Sequence, residues 1–339
     1  MNVVMRPLAM LALAACGNGN SLPPPGVCNA SNAGPLPVAA PIKLVDAPLA
    51  FDDLRYAPSL DKIVAAPAGL GKIFLVDPDD DSVLALDEFI PTGIASADGK
   101  GALVFAVDRQ MRRIEIVDVF LRTVVGETRL DDAPDYLRAS PTSDEVWVTL
   151  PGAGRIDVFA TSTQPPSATK AASIEIGDPE GLVFDGAGLA YTNDGGHVVQ
   201  IDVASHQVLN RWADGCGSSH GFPVVDTALG LVFGGCADNG GAGVLASANG
   251  DQRSGIEAGG GPAILAYDAM LHHFYLRGDG APTLDIVGVC ADGGLTVLGE
   301  VAIPAHGHGA TADGSGRVWV CDPDNGGIVK ITDTYPPSS

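Results

Sequence analysis

Cys216, His220 and Cys236 stand close together in the stretch Gly215–Gly241, GCGSSHGFPVVDTALGLVFGGCADNGG. Two thiols and an imidazole can ligate zinc, or the thiols can join as a disulfide. Zinc sites draw on short spacings such as CxxC or HxxxH, and neither occurs here. The expected pairing is therefore a Cys216–Cys236 disulfide, with a metal held by the two thiolates and His220 as the alternative. Asp77-Pro-Asp-Asp-Asp81 has the oxygen spacing of a calcium loop, but the glycine and closing glutamate of an EF-hand are missing. Comparable strings, Asp322-Pro-Asp-Asn-Gly and Asn193-Asp-Gly-Gly, are turn sequences whose Asp, Asn and Gly suit tight backbone bends, and all three are read as turns. His220 and His308 stand in no recognisable motif with a Ser or Cys nucleophile. Ser218 and Ser219 read as loop residues, and His197, His206, His272 and His273 as surface residues.

These groups are set among short apolar runs separated by Gly, Pro, Asp and Asn. Taking the residue that opens each hairpin as a marker gives Ala57, Asp98, Ser140, Asp185, Asp226, Asp268 and Asp313, at successive spacings of 41, 42, 45, 41, 42 and 45. A period near 42 with about four strands per unit marks a β-propeller blade. The expected fold is all-β, a seven-bladed β-propeller over residues 42–333. Second strands are read as IFLVD (73–77), LVFAVD (103–108), VWVTL (146–150), LAYTND (189–194), LVFGGC (231–236), HFYLRG (273–278) and VWVCD (318–322). Trp147 and Trp319, on equivalent strands, are expected to pack between blades. The last unit stops after three strands, so the N-terminal apolar strand Ile42–Val45 is expected to complete the seventh blade and close the ring. Residues 334–339 are left as a tail.

Propeller geometry gives the chemistry a second location. The residues that lead into the seven blades are Asp52, Thr92, Asp135, Glu180, His220, Pro262 and His308, and they should ring one mouth of the central channel. The carboxylates of Asp52, Asp135 and Glu180 with the imidazoles of His220 and His308 suit a divalent metal ion, calcium or zinc, or a cationic ligand. The same geometry brings Cys216, before a first strand, next to Cys236, at the end of the second. Cys321 lacks a local partner, Cys290 should face the opposite rim, and Cys28 is within reach of either.

The chain opens with a charged start, Met1–Arg6, and a short apolar run ending in Leu13-Ala14-Ala15-Cys16. That order is secretory, and the run is too short to span a bilayer. It resembles the bacterial lipoprotein signal, the lipobox. The resemblance implies cleavage after residues 1–15, lipid on Cys16, a lipid anchor to a bacterial membrane and, with Gly17 next, the outer membrane of the cell envelope. Residues 16–41, rich in Gly, Ser, Asn, Ala and Pro, read as a disordered tether. Gly215-Cys216…His220-Gly221, Phe233-Gly234-Gly235-Cys236, Gly260-Gly261-Pro262…Tyr267-Asp268 and Ala305-His306-Gly307-His308 followed by Val318-Trp319-Val320 resemble the seven-bladed YVTN/YncE-like propellers of bacterial envelopes. The literal Tyr-Val-Thr-Asn tetrapeptide is absent. In that family binding roles are more usual than demonstrated catalysis. Glu180 in Asp-Pro-Glu-Gly also resembles the glutamate of calcium-dependent lactonase propellers, without that site's other ligands at matching positions.

A formal charge of −22 over 339 residues, with no Lys/Arg cluster, excludes a nucleic-acid surface. Two function classes remain. One is a monomeric, non-enzymatic envelope lipoprotein that binds a protein, glycan or small ligand. The alternative is a metal-dependent lactonase-like hydrolase with its ion at the channel mouth.

Overall fold

A computed structural model describes residues 31–87, 93–219 and 222–338. Within them the only helical element is a 3-10 turn at Pro151–Ala153; the rest of the regular structure is strand. Strand β1 (Val38–Lys43) comes first. Blade one follows as β2 (Ala50–Ala57), β3 (Lys62–Ala68), β4 (Ile73–Val76) and β5 (Val83–Leu86), and blade two as β6 (Ile94–Lys100), β7 (Leu103–Asp108), β8 (Arg113–Asp118) and β9 (Thr123–Arg129). Blade three has β10 (Leu137–Ala139), β11 (Glu145–Leu150), β12 (Arg155–Thr163) and β13 (Pro166–Glu175). Blade four has β14 (Leu182–Phe184), β15 (Leu189–Asn193), β16 (His197–Asp202) and β17 (Gln207–Ala213). Blade five runs through β18 (Val224–Asp226), β19 (Leu231–Gly235), β20 (Ala242–Ala246) and β21 (Gln252–Ile256). Blade six runs through β22 (Ala263–Asp268), β23 (His273–Gly278), β24 (Thr283–Val289) and β25 (Leu295–Ala302). The last blade holds β26 (Ala310–Ala312), β27 (Arg317–Asp322), β28 (Gly327–Thr332) and, as its outer strand, β1.

Each blade is a four-stranded antiparallel meander, and the first strands of neighbouring blades adjoin one another around the ring. Closure is as expected in kind: β1 pairs antiparallel with β28 from Val38↔Thr332 to Lys43↔Gly327. It begins four residues earlier than the expected Ile42, inside the stretch read as tether. Blade one corrects a second expectation. Its second strand is Lys62–Ala68, so IFLVD lies on the third strand and the following SVLALD on the fourth.

The strands alternate with one recurring turn. Asp77, Asp108, Asp118 and Asp268 each accept, on Oδ1, the backbone N–H groups two and three residues on. Asp81, Arg112, Arg122 and His272, four residues beyond each, have φ between 50° and 61°. An aspartate capping its own turn, then one left-handed residue, is a compact way to reverse a strand. Asp77–Asp81 is therefore a turn, as read.

Second strands such as Leu103–Asp108 are buried along their whole length, because both faces of a blade are covered by its neighbours. Seven apolar clusters among the described residues each join two adjacent blades. The one closing the ring sets Trp319, Cys321 and Ile328 of blade seven against Leu54, Ile63 and Phe74 of blade one. Trp147 and Trp319 are fully buried packing residues, as expected. His273 is not on the surface: it is fully buried, with Nδ1 2.7 Å from Asp333 Oδ2 and Nε2 3.1 Å from the Pro336 carbonyl. The residues read as a tail are thus strapped to blade six, with Tyr335 buried and Ser338 N–H bonded to Leu271 O at 2.8 Å. Among the described residues no helix is long and apolar enough to cross a membrane.

Candidate ligand site in the central channel

The first strands begin on one face of the disc, here the starting face, and turn into the second strands on the other, the hairpin face. Of the residues expected to ring the starting face, Thr92 and His220 lie outside the described residues, and Asp52 is on β2. Asp135 forms an ion pair with Arg109, and Glu180 is half-buried ahead of β14. His308 Nε2 lies 3.3 Å from the Tyr136 hydroxyl. The Tyr136 ring in turn meets Phe222 edge-on, centroids 4.3 Å apart. Packed aromatic rings therefore occupy this end of the channel. No group of three or more His, Cys, Asp or Glu among the described residues is placed to hold a metal ion.

Below these rings sits a charged network that the sequence reading did not select. Pairing of β2 with β3 skips from Phe51 to Leu54, and that of β6 with β7 from Ile94 to Ser96. Such bulges re-aim side chains, and here they accompany Asp53 and Ser96 into the channel. Arg138 on β10 grips Asp53 with both terminal nitrogens, at 2.7 and 2.9 Å. Ser96 Oγ donates to Asp53 Oδ2 at 2.5 Å and accepts Leu137 N–H at 3.0 Å. The pair is only 4% and 1% exposed and its guanidinium lies 4.6 Å over the Phe222 ring. Burial pulls the Arg138 guanidinium down, but Asp53 and then Asp98 carry it above its ordinary value. The bidentate pair thus joins blades one and three, and Ser96 of blade two bonds to both partners.

On the hairpin side of this network the channel opens. A cavity of ≈ 280 Å³ begins at Arg138 and Phe222 and reaches Asp185, Thr227 and Ala269 at the blade turns. A second, of ≈ 650 Å³, lies over the turns of blades one to three, and both are lined by Arg55 and Phe184. Arg55 is the unusual group. It is ion-paired with Asp98, whose Oδ2 is 3.5 Å from Nε, and among the described residues Nε has no hydrogen-bond acceptor. Asp98 is already committed to backbone, accepting Gly99 N–H at 2.8 Å and Ala139 N–H at 3.0 Å. Burial, against the pull of Asp98, holds the Arg55 guanidinium below its ordinary value. Even so, 29% of the side chain stays accessible, and that surface faces the cavities. Buried donors without acceptors are rare in folded proteins and call for a reason. A sequence signal existed in the alternation Asp53-x-Arg55 and Ser96-x-Asp98 on successive first strands, where one face of an inner strand must look into the channel.

The cysteine stretch is structural. Cys216 and Cys236 form the expected disulfide. Its loop is held by buried Asp214, which accepts Cys216 N–H and the Ser219 hydroxyl; burial raises the Asp214 carboxyl despite both. Cys290 is also disulfide-bonded, while Cys321 is fully buried in the cluster that closes the ring. Cys16 and Cys28 lie outside the described residues.

Comparison with known families and with curated proteins finds no match. Solved structures do resemble the chain. The WD40 repeats of RRP9 superpose with a TM-score of 0.72 at 10% identity, over 94% of this chain and 100% of that one. A hydrazine synthase chain of Kuenenia stuttgartiensis gives 0.69 at 14% identity, over 85% and 96%. The WD40 propeller domain of Doa1 gives 0.67 at 13% identity, over 88% and 96%. At these identities the likeness is one of fold, and the chain is a seven-bladed β-propeller.

Proposed function

We propose that this chain is an extracytoplasmic, lipid-anchored propeller of YVTN/YncE-like kind that binds a small ligand in its central cavity. The observation that carries the binding reading is the cavity on the hairpin face, lined by the partly exposed side chain of Arg55, whose Nε has no acceptor among the described residues. Concave, largely apolar pockets with a few convergent polar groups are the usual form of small-ligand sites. The anchoring reading is supported by Leu13-Ala14-Ala15-Cys16 and is consistent with the Cys216–Cys236 disulfide, since such bonds persist outside the reducing cytosol.

Ligand-observed NMR with a fragment library, on the wild type and on Ala269→Trp, tests the binding reading. Ala269 is exposed at the cavity rim, so the bulky ring narrows the mouth with little effect on the core. Fragments that bind the wild type and are lost in the variant support the site; fragments indifferent to the substitution refute it. For the anchor, Cys16→Ser is expected to move the protein from the membrane to the soluble fraction of a bacterial host, and unchanged membrane association would refute it.

A further inference from the structure

We propose that the ligand is an organic monocarboxylate with an apolar body, its carboxylate seated on Arg55 and Thr311. This rests on the reading of the central cavity as a binding site and names the chemical class that the cavity selects. The guanidinium of Arg55 presents a planar fork that matches a carboxylate, and its ion pair with Asp98, Nε to Oδ2 at 3.5 Å, is a long one. Thr311 supplies a second donor beside it. Its Oγ1 accepts Tyr56 N–H at 2.9 Å, which brings blade seven against the residue following Arg55 and leaves the hydroxyl hydrogen of Thr311 to give. Both residues line the ≈ 280 Å³ cavity. Arg138 lines it too, but its nitrogens are taken by Asp53, Ser96 and Leu137 O. Val183, Phe184, Val225, Leu265, Ala310 and Ala312 give the wall apolar stretches for the ligand's body, with Asp185 and Thr227 confined to the turns.

Charge decides between a monoanion and a dianion. Arg55 and Arg138 are balanced by Asp53 and Asp98, and Asp185 adds a further carboxylate to the lining. A monocarboxylate brings one negative charge to a guanidinium that is poorly paired. A phosphomonoester brings nearly two, in a space where acids already outnumber bases.

Isothermal titration of the whole protein with hexanoate, hexanamide and hexyl phosphate tests this, together with Arg55→Gln and Arg55→Lys. Hexanoate is expected to bind at least about tenfold more tightly than hexanamide, the worth of one charge-assisted hydrogen bond. Arg55→Gln should erase that preference and Arg55→Lys should retain part of it, both with wild-type circular dichroism. Equal binding of hexanoate and hexanamide, blocked by Ala269→Trp, would overturn the carboxylate assignment and keep the cavity as a site. Tighter binding of hexyl phosphate than of hexanoate would overturn the monoanion assignment. Absence of binding by all three would overturn the assignment too, and the fragment screen then decides separately whether the cavity binds anything.

Discussion

Asp53→Asn is the sharpest test of how the channel is held. The side chain keeps its shape, but Arg138, 4% exposed, loses the anion that two of its nitrogens grip at 2.7 and 2.9 Å. Removing one partner of a buried pair leaves a charge without compensation and typically costs about 3–5 kcal/mol. Unfolding entropy is roughly 2.1 cal/mol/K per residue, or about 0.6 kcal/mol/K over the roughly 300 described residues. The melting temperature should then fall by about 5–8 °C, read by scanning calorimetry. Arg138→Met should cost a similar amount, because it strands Asp53. The double variant Asp53→Leu/Arg138→Met should recover most of the loss, since apolar replacement of a whole buried pair is often neutral or better. Ser96 keeps the Leu137 N–H in that variant, and its hydroxyl can turn from the lost Asp53 to the Leu137 carbonyl, 3.4 Å away, which loses Arg138. A single-variant cost below about 1 kcal/mol, or a double variant as unstable as the two losses combined, would refute the view that this pair ties the blades across the channel.

Replacing Cys216 and Cys236 together with serine reopens a loop with a sequence separation of 20 and should lower stability by about 3 kcal/mol in the chain-entropy account, seen as a lower urea midpoint; an unchanged midpoint would contradict it. Asp285 and Glu300 face each other across β24 and β25. Burial first, and then Glu300, holds the Asp285 carboxyl above its ordinary value. Its folded form therefore takes up a proton before the unfolded chain does. The stability this gives is complete in acid and fades as pH rises through the raised value. Glu300→Lys should accordingly stabilise the protein at pH 7, by at most about 1 kcal/mol at so exposed a position. The gain should shrink toward pH 4 in urea titrations, and a gain that grew in acid would show the sign to be wrong.

The repeat was legible because each blade needs its own turn chemistry. Asp108, Asp118 and Asp268 cap hairpins within a few residues of themselves, and short-range chemistry leaves a mark in a linear string. Blade one was misread at its second strand because Lys62–Ala68, with Pro67 and a run of alanines, has weak strand character. Burial between neighbours makes it a strand all the same. The disulfide was legible from hairpin geometry alone. The channel was not. Asp53, which holds Arg138, was not selected, because the bulge at this point of β2 is set by pairing rather than by composition. Arg138 lies 85 residues from Asp53, and no local pattern announces such a pair. His273 read as a surface residue because its partners, Asp333 and Pro336, lie about 60 positions away.

A ribosome delivers β1 first and its partner last. Lys43 waits for Gly327, 327 − 43 = 284 residues later, on the order of 15–60 s at ~5–20 residues per second. During that interval six blades can form, while the seventh has only its outer strand and the ring stays unclosed. A free apolar strand is an invitation to pair with another nascent chain. Pro41 near its middle removes one backbone donor from that strand and makes it a poor template for foreign edges. The same proline is harmless in the finished molecule, where β1 is the outermost strand of its sheet and has a neighbour on one side only. The order of synthesis thus selects which end of the chain contributes the edge, and what that edge is made of.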